Sequence, residues 1–320
     1  MPLSYEATKL LIGYLDVHPR FQLALNCPSL RTTEKLIPLK IDRLDITGPS
    51  CISVNGHKIE LQKLNPHLLQ LTISSPRGKD IKRFKCSMDL ESSMKQLISL
   101  LFSNRRDLSV SCLHVCPNLL TPTAKFQVRN LNLAKSCYDI RELDSNIVQN
   151  SPLYVLGIHC HPRNFRNWEH PIVRDAKKLI FHYPNYDATF SNIYQIAHRH
   201  MHLSLTDNAK CYGHVLKRVI NQWRRNWREI GDVFSFYIKT EFFIQLMNQF
   251  DRILSRVGGE RTDLCTMVVP LNDAIQIQIR FEGVINHDSI DEDADYLLHL
   301  PHVYVRAEGC IVIRVVPADD

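Results

Sequence analysis

The feature that most constrains this fold is a helix, a tight turn and a strand in immediate succession, written most clearly in HVLKRVINQWRRNWREIGDVFSFYI, residues 214–238. Leu216, Val219, Ile220, Trp223 and Trp227 recur at helical spacing up to Ile230 and Gly231, where glycine can take the left-handed conformation that closes a helix. Phe234, Phe236 and Ile238 then alternate with Val233, Ser235 and Tyr237, the period of a pleated, half-buried strand. Trp223, Trp227, Phe234 and Phe236 are therefore expected in the structural core.

Degenerate copies of this unit fill the middle of the chain. Met94, Leu97, Ile98, Leu101 and Phe102 form a helical face, and Leu108, Val110, Cys112 and His114 alternate as one strand face after it. Residues 126–133 read as a strand, Ile140, Leu143 and Ile147 as helical, and 153–158 as a near-continuous apolar strand of the buried, parallel kind. Further helix and strand pairs are 172–177 with 179–183 and 190–197 with 202–205. Helix–strand units of this size cannot bury their faces alone and do so by stacking on neighbours. The fold class is thus α/β, an irregular leucine-rich-repeat-like helix–strand solenoid to about residue 238, with a curved, largely parallel sheet and helices on one side.

The two ends differ. Ser4 is a helix cap before Ala7, Leu10, Leu11, Tyr14 and Leu15, Pro19 fits the first turn of a second helix, and 29–36 is a third, so 1–37 read as a short helical cap. Strands begin at Leu39, Ile41, Leu44 and Ile46, and Asn55-Gly56 is a strong two-residue hairpin signal. Residues 62–90, with Pro66, Pro76, Gly78 and basic residues at 77, 79, 82, 83 and 85, read as an exposed basic loop. Towards the C-terminus, Phe242 to Phe250 supply a helix face, Ile275, Ile277, Ile279 and Phe281 a two-faced antiparallel strand, and Tyr304 and 310–316 more strand, so 239–320 form a C-terminal helix and antiparallel strands. The acids between 288 and 295 form a loop.

Chemistry is sparse. With 320 residues, net charge +6 and 22% charged residues, the chain has a mild basic excess common among soluble proteins. Ten scattered cysteines without a C-x-x-C, no basic leader and no apolar run of membrane-spanning length point to reduced thiols, no membrane association, and the cytoplasm or nucleus. Cys112-x-His114-x-Cys116, His159-Cys160-His161 and His198-x-His200-x-His202 lack the turn spacing and second pair of a zinc site, and Asp291, Asp293 and Asp295 are followed by Tyr296 and His302 where a calcium loop needs Gly and Glu. No G-x-S-x-G or phosphate loop is present. The expectation is no cofactor, no metal and no catalysis. Lys217, Arg218, Arg224, Arg225 and Arg228 interleave with Trp223 and Trp227, which could grip nucleic acid through the basic helix 214–230, but tryptophans four apart on an amphipathic helix belong first to a core stripe.

The opening PLSYEATKLLIGYLDVHPRFQLALNCPSLRTTEKLIPLKIDRL resembles the F-box-like N-terminus of the F-box-associated families expanded in nematodes. HPIVRDAKKLIF, RHMHLSL, the Trp and Ile-Gly block and VVPLNDAIQIQIRFEG resemble, in the same order, that family's later units. The resemblance implies an F-box-like segment over 1–37 and an F-box-associated α/β domain over 38–320. It also implies a substrate-recognition subunit of a cullin-type ubiquitin ligase that docks a Skp-family adaptor through its N-terminus and holds a protein client with the rest. The implied adaptor-binding set is Pro2, Leu3, Leu11, Leu15, Phe21, Cys27 and Leu30. Two places depart from the family pattern: Pro2-Leu3 inverts the usual Leu-Pro, and Leu30, after Pro28, stands where Trp is common. A stand-alone interaction scaffold, with the cap sealing the first strand, is the alternative, and a nucleic-acid binder the distant one.

Overall fold

A computed structural model of the chain describes residues 4–75, 78–134, 139–148, 151–159, 166–183, 198–205, 209–226, 228–237, 252–262, 266–283 and 309–318. It is a mixed α/β protein of two compact units, Met1–Cys160 with Asn164–Lys177, and His161–Arg163 with Lys178–Asp320.

The first unit opens with a helical cap, α1 (Tyr5–Gly13), α2 (Val17–Asn26) and α3 (Arg31–Lys35). Ser4 starts α1 as its sequence promised, its Oγ accepting from the Ala7 N–H at 3.2 Å. The sheet follows with β1 (Leu39–Gly48), β2 (Cys51–Val54), β3 (His57–Asn65), β4 (Leu68–Ser75) and β5 (Gly78–Lys85). After helix α4 (Leu90–Phe102) come β6 (Leu108–Val115), β7 (Gln127–Leu133), β8 (Val155–Ile158) and a single turn, α5 (Pro171–Arg174). The strand order is β5-β4-β3-β2-β1-β6-β7-β8. The ladder from β1 to β8 is parallel and the run from β1 to β5 antiparallel.

Register explains the core. Leu44, Leu113, Leu131 and Leu156 are direct neighbours across the parallel ladder, as are Ile46, Val115, Leu133 and Ile158, and all eight are 0% exposed. Each such side chain contributes about 1.5–3 kcal/mol of burial, so these two rows anchor the unit. The α4 residues Met94, Ile98, Leu101 and Phe102 are also fully buried, and the Phe102 ring meets Phe21 and Phe126 at 5.5 and 5.9 Å.

One expectation about facing needs correction. Leu108 and Val110 are buried, but so are Leu113 and Val115, whereas Cys112 and His114 lie on the opposite face. The phase changes near Ser111, and β1 changes with it between Ile41 and Leu44. The cause is local on β1: the Asn55 Oδ1 accepts the N–H groups of Asp42 and Arg43 at 3.0 and 2.9 Å, tying the hairpin tip into the strand. Asn55 and Gly56 both have positive φ, 49° and 81°, as a two-residue hairpin with their sequence requires.

Residues 62–90 are also corrected: they hold the end of β3, all of β4 and β5, and the entry to α4 rather than one loop. Lys79, Arg83 and Lys85 look loop-like because β5 is the outermost strand of its unit and is exposed along most of its length.

The second unit contains β9 (Lys178–Tyr183), β10 (His200–Leu205), α6 (Ala209–Arg225), β11 (Val233–Tyr237), β12 (Glu260–Arg261), β13 (Thr266–Asn272), β14 (Ile275–Gly283) and β15 (Gly309–Pro317). Their order is β9-β10-β11-β15-β14-β13-β12, parallel through β11 and antiparallel beyond it. Leu179, Met201, Phe234 and Ile313 form one buried row, and Phe181, Leu203, Phe236 and Ile311 the next. Val215, Leu216, Val219, Ile220 and Trp223 make the buried stripe of α6. Gly309 is required where it stands, because a Cβ there would lie 2.4 Å from the Phe281 ring.

Trp223, Phe234 and Phe236 thus lie in the core, at 2%, 0% and 0% exposure. Trp227, Ile238, the helices expected at 190–197 and 242–250, Tyr304 and the acidic loop with Asp291, Asp293 and Asp295 lie outside the described residues. Among the described residues, no helix is long and apolar enough to cross a membrane.

Candidate functional site

The helical cap is fixed to its unit by buried charge. Glu34 of α3 is 0% exposed and accepts from Arg20 Nε of α2 at 3.0 Å. Its carboxylate also accepts from Arg105, which follows α4, at 2.9 and 2.6 Å. Arg20 spends its other donors on the carbonyls of Glu34, Ile37 and Pro38, and Arg105 Nε donates to the Leu101 carbonyl at 2.6 Å. The Arg105 guanidinium also lies over the Phe21 ring, 5.9 Å from its centroid. Nothing in the spacing of Arg20, Glu34 and Arg105 marked them beforehand, since Glu34 and Arg105 are 71 residues apart.

α1 carries none of this cluster and packs inward through one residue. Ile12 is the buried residue of α1, while Leu10, Leu11, Tyr14 and, just beyond the helix, Leu15 are 63%, 54%, 86% and 41% exposed. Within the implied adaptor-binding set, Leu11 and Leu15 are therefore on the open surface. Phe21 is 2% exposed and packs edge-on against Phe102. Cys27, at the end of α2, and Leu30, in the turn before α3, are half-buried, and Pro2 and Leu3 lie outside the described residues.

A second surface is the polar face of the parallel ladder. Opposite the leucine rows, register aligns Arg43, Cys112 and Asn130, and beside them Asp45, His114 and Asn132. Arg43 Nε donates to Asp45 Oδ2 at 3.0 Å, His114 Nδ1 lies 3.6 Å from Asp45 Oδ1, and the His114 ring stacks on His159 at 5.2 Å. Burial pushes the Asp45 carboxyl up, but hydrogen bonds from His114 and Arg43 outweigh it and hold the group below its usual range. Burial raises the Cys112 thiol to about 11, so it stays protonated and is a poor nucleophile at neutral pH. Cys116 is buried and its Sγ contacts Asn118 Oδ1 at 2.7 Å, so Cys112, His114 and Cys116 do not converge. Among the described residues, no group of three or more His, Cys, Asp or Glu could hold a metal ion. Cys160 and His161 lie outside them.

In the second unit His198 accepts the His200 N–H on its Nδ1 at 3.1 Å, His200 is exposed, and His202 is 2% exposed. His202 Nδ1 and Ser235 Oγ are 2.8 Å apart, and the Tyr237 ring meets the imidazole edge-on at 4.5 Å. A serine beside a histidine invites a hydrolase reading, but burial, then the charge of Lys178, lowers the His202 pKa to about 3. An imidazole so buried is a poor proton acceptor. Burial likewise raises the Cys310 thiol to about 12.

Of the basic stretch, Lys217, Arg224 and Arg225 are exposed, Arg218 is half-buried and the Arg228 side chain is buried. Trp223 is buried, and the Arg228 guanidinium lies over its ring at 5.6 Å, which leaves that ring closed to a nucleic-acid base.

Comparison with protein families finds a match to a domain of unknown function, DUF3557, over residues 89–240. That span runs from the cap of α4 through β11 and excludes both α1–α3 and the antiparallel strands β12–β15. No curated protein and no solved structure matches the chain.

Proposed function

We propose that this protein is a non-catalytic receptor of the cytoplasm or nucleus. In this reading it docks a Skp-family adaptor of a cullin-type ubiquitin ligase through α1 and holds a protein client with the remainder of the chain. The observation that carries the reading is the outward apolar surface of Leu10, Leu11, Tyr14 and Leu15, on and just after a helix whose Ile12 is already buried. Clustered apolar side chains of this size on an otherwise folded segment mark protein contacts. Their presence in a stretch that resembles an F-box supports an adaptor of the Skp family as the partner. The parallel rows of each unit, with helical segments between strands, further support reading the body as an irregular leucine-rich-repeat-like solenoid. In that architecture probes placed in β7 and β10 report separate urea transitions, and one coincident transition argues against it.

The functional test is adaptor capture by the full chain. The parent protein is expected to retain the adaptor. Leu15→Asp should lose it with an unchanged thermal transition, because a charge on an exposed side chain costs little in the free protein. Phe21→Asp should lose the fold instead, because it drives an unpaired charge into the core. No capture by the parent, or undiminished capture by Leu15→Asp, rejects adaptor docking on α1 and leaves a stand-alone interaction scaffold.

A further inference from the structure

In the first unit the helical layer stops short of the sheet edge. The inner face of β3 and β4 is covered, with Leu61, Leu69 and Leu71 at 5%, 0% and 6% exposure. Register continues these rows onto β5, where Leu71 faces Lys82 and Leu69 faces Phe84. Phe84 is 41% exposed. Between this uncovered strip and the helices α2, α3 and α4 lies a trough of about 610 Å³, within the size range of ligand-binding clefts. Its apolar walls include Leu25, Leu71, Phe84, Leu97 and Leu100.

Its charge is one-sided. Arg31, Lys35 and Lys82 line the trough, and among the described residues no Asp or Glu does. Arg31 Nε donates to the Ala24 carbonyl at 2.9 Å and Lys82 to the Asn26 side chain, both neutral acceptors. Lys35 has no ion-pair partner among the described residues. The adjacent carboxylate, Glu34, is occupied by Arg20 and Arg105. Burial, followed by the charge of Arg105, pushes the Lys35 pKa down, and Arg31 adds to this, so the trough holds positive charge at some cost. An anion entering it would relieve that cost.

The outer edge of β5 adds a backbone requirement. β5 is the last strand of its unit, and its outer N–H and C=O groups pair with no strand among the described residues. A chain laid along that edge would satisfy them while alternate side chains turned towards the trough. A fatty acid or a small anion would use the cations but not the edge.

We propose that the β5 edge and the trough beside it bind an extended peptide segment of a partner protein, rich in Asp or Glu and carrying a large apolar side chain that fills the trough. This rests on reading the chain as a receptor for a protein client, and not on adaptor docking through α1. Lys35 and Lys82 recognise the carboxylates, Phe84, Leu97 and Leu100 receive the apolar anchor, and β5 receives the backbone.

The test starts with a phage-displayed library of random short peptides selected on the full chain without adaptor. Enriched peptides should combine carboxylates with Leu, Phe or Trp. A fluorescein-labelled copy of the best one should bind in an anisotropy titration and weaken with added salt. Lys35→Glu with Lys82→Glu should raise its Kd at least tenfold, and Phe84→Ser should do the same without touching a charge. All three side chains are partly exposed, so the parent melting temperature is expected in both variants, and Phe84→Ser alone decides if the double variant fails to fold. An unenriched library, enrichment of peptides without acids, or a Kd indifferent to Phe84→Ser overturns the proposal. So does a long-chain carboxylate found by native mass spectrometry in the purified protein and lost in Phe84→Ser. Adaptor capture is measured separately, so its failure leaves the peptide result standing.

Discussion

Removing the Glu34 carboxylate is the sharpest way to test what holds the cap in place. Glu34→Ala deletes three charge-assisted hydrogen bonds, at 3.0, 2.9 and 2.6 Å, and leaves two guanidinium groups in the interior. The two arginines are not equally exposed to the loss. Arg20 keeps the carbonyls of Glu34, Ile37 and Pro38, whereas Arg105, with a side chain 0% exposed, keeps only the Leu101 carbonyl as an acceptor among the described residues. Summing charged hydrogen bonds at about 1.5–3 kcal/mol each would overstate the effect, because water enters the opened site. Breaking one member out of a buried ion cluster costs about 3–5 kcal/mol, and that is the expected size here. At about 1.4 kcal/mol per decade, the opening equilibrium of the cap should rise roughly 100- to 1,000-fold or more. Hydrogen exchange followed by mass spectrometry on peptides from α1–α3 reads this directly as lost protection. A matched apolar replacement, Arg20→Met, Glu34→Leu and Arg105→Met together, should restore most of it, since such exchanges of buried ion clusters are often neutral or stabilising. If Glu34→Ala keeps its cap protection within tenfold of the parent, the cluster is not what anchors the cap.

Two further outcomes are expected in the second unit. Trp223→Ala should cost about 3–5 kcal/mol in chemical unfolding, the range for truncating a buried aromatic, and unchanged unfolding would return Trp223 to the surface and revive base stacking. His202 should make stability depend on pH with a definite sign: its folded pKa is about 3 and its unfolded value about 6.5, so between them the unfolded chain holds a proton that the folded chain lacks. Its contribution is complete above pH 6.5 and declines by about 1.4 kcal/mol per unit as pH falls, so from pH 7 to pH 5 the parent should lose about 2 kcal/mol more than His202→Asn. Equal losses in the two proteins would show that the imidazole titrates normally.

Sequence pattern reached the elements whose signal is local. The Ser4 cap, the Asn55-Gly56 hairpin, α4, the alternation of β14 and the buried stripe of α6 all depend on neighbours within a few residues. It went astray where a distant partner sets the outcome. The phase change in β1 is tied to Asn55 from the next hairpin, so the facing of Cys112 and His114 was misread. β5 carries polar residues on both faces, as suits an end strand that no other described strand pairs with on its outer side, so periodicity had nothing to detect. The Arg20, Glu34 and Arg105 cluster has no pattern at all, since ordinary exposed arginines and glutamates are written with the same letters. Leu11 and Leu15 are legible as apolar positions in or beside a helix, but which of them face outward is set by packing with distant segments, which buries Ile12 instead.

The lysines of β5 have a consequence for concentrated solutions. A strand edge with no strand partner among the described residues, bearing Ile81 and Phe84, 52% and 41% exposed, is the kind of surface through which two copies of a protein join into aggregates. Antiparallel pairing of two β5 edges would set Lys79, Lys82, Arg83 and Lys85 of one copy against the same four of the other, with Asp80 the lone acid on each. The edge is thus guarded against its own kind by the very charges that would admit an acidic strand. Near 1 M salt, where charges are screened within about 3 Å, that guard is lowered, and light scattering should rise there before it rises at low ionic strength.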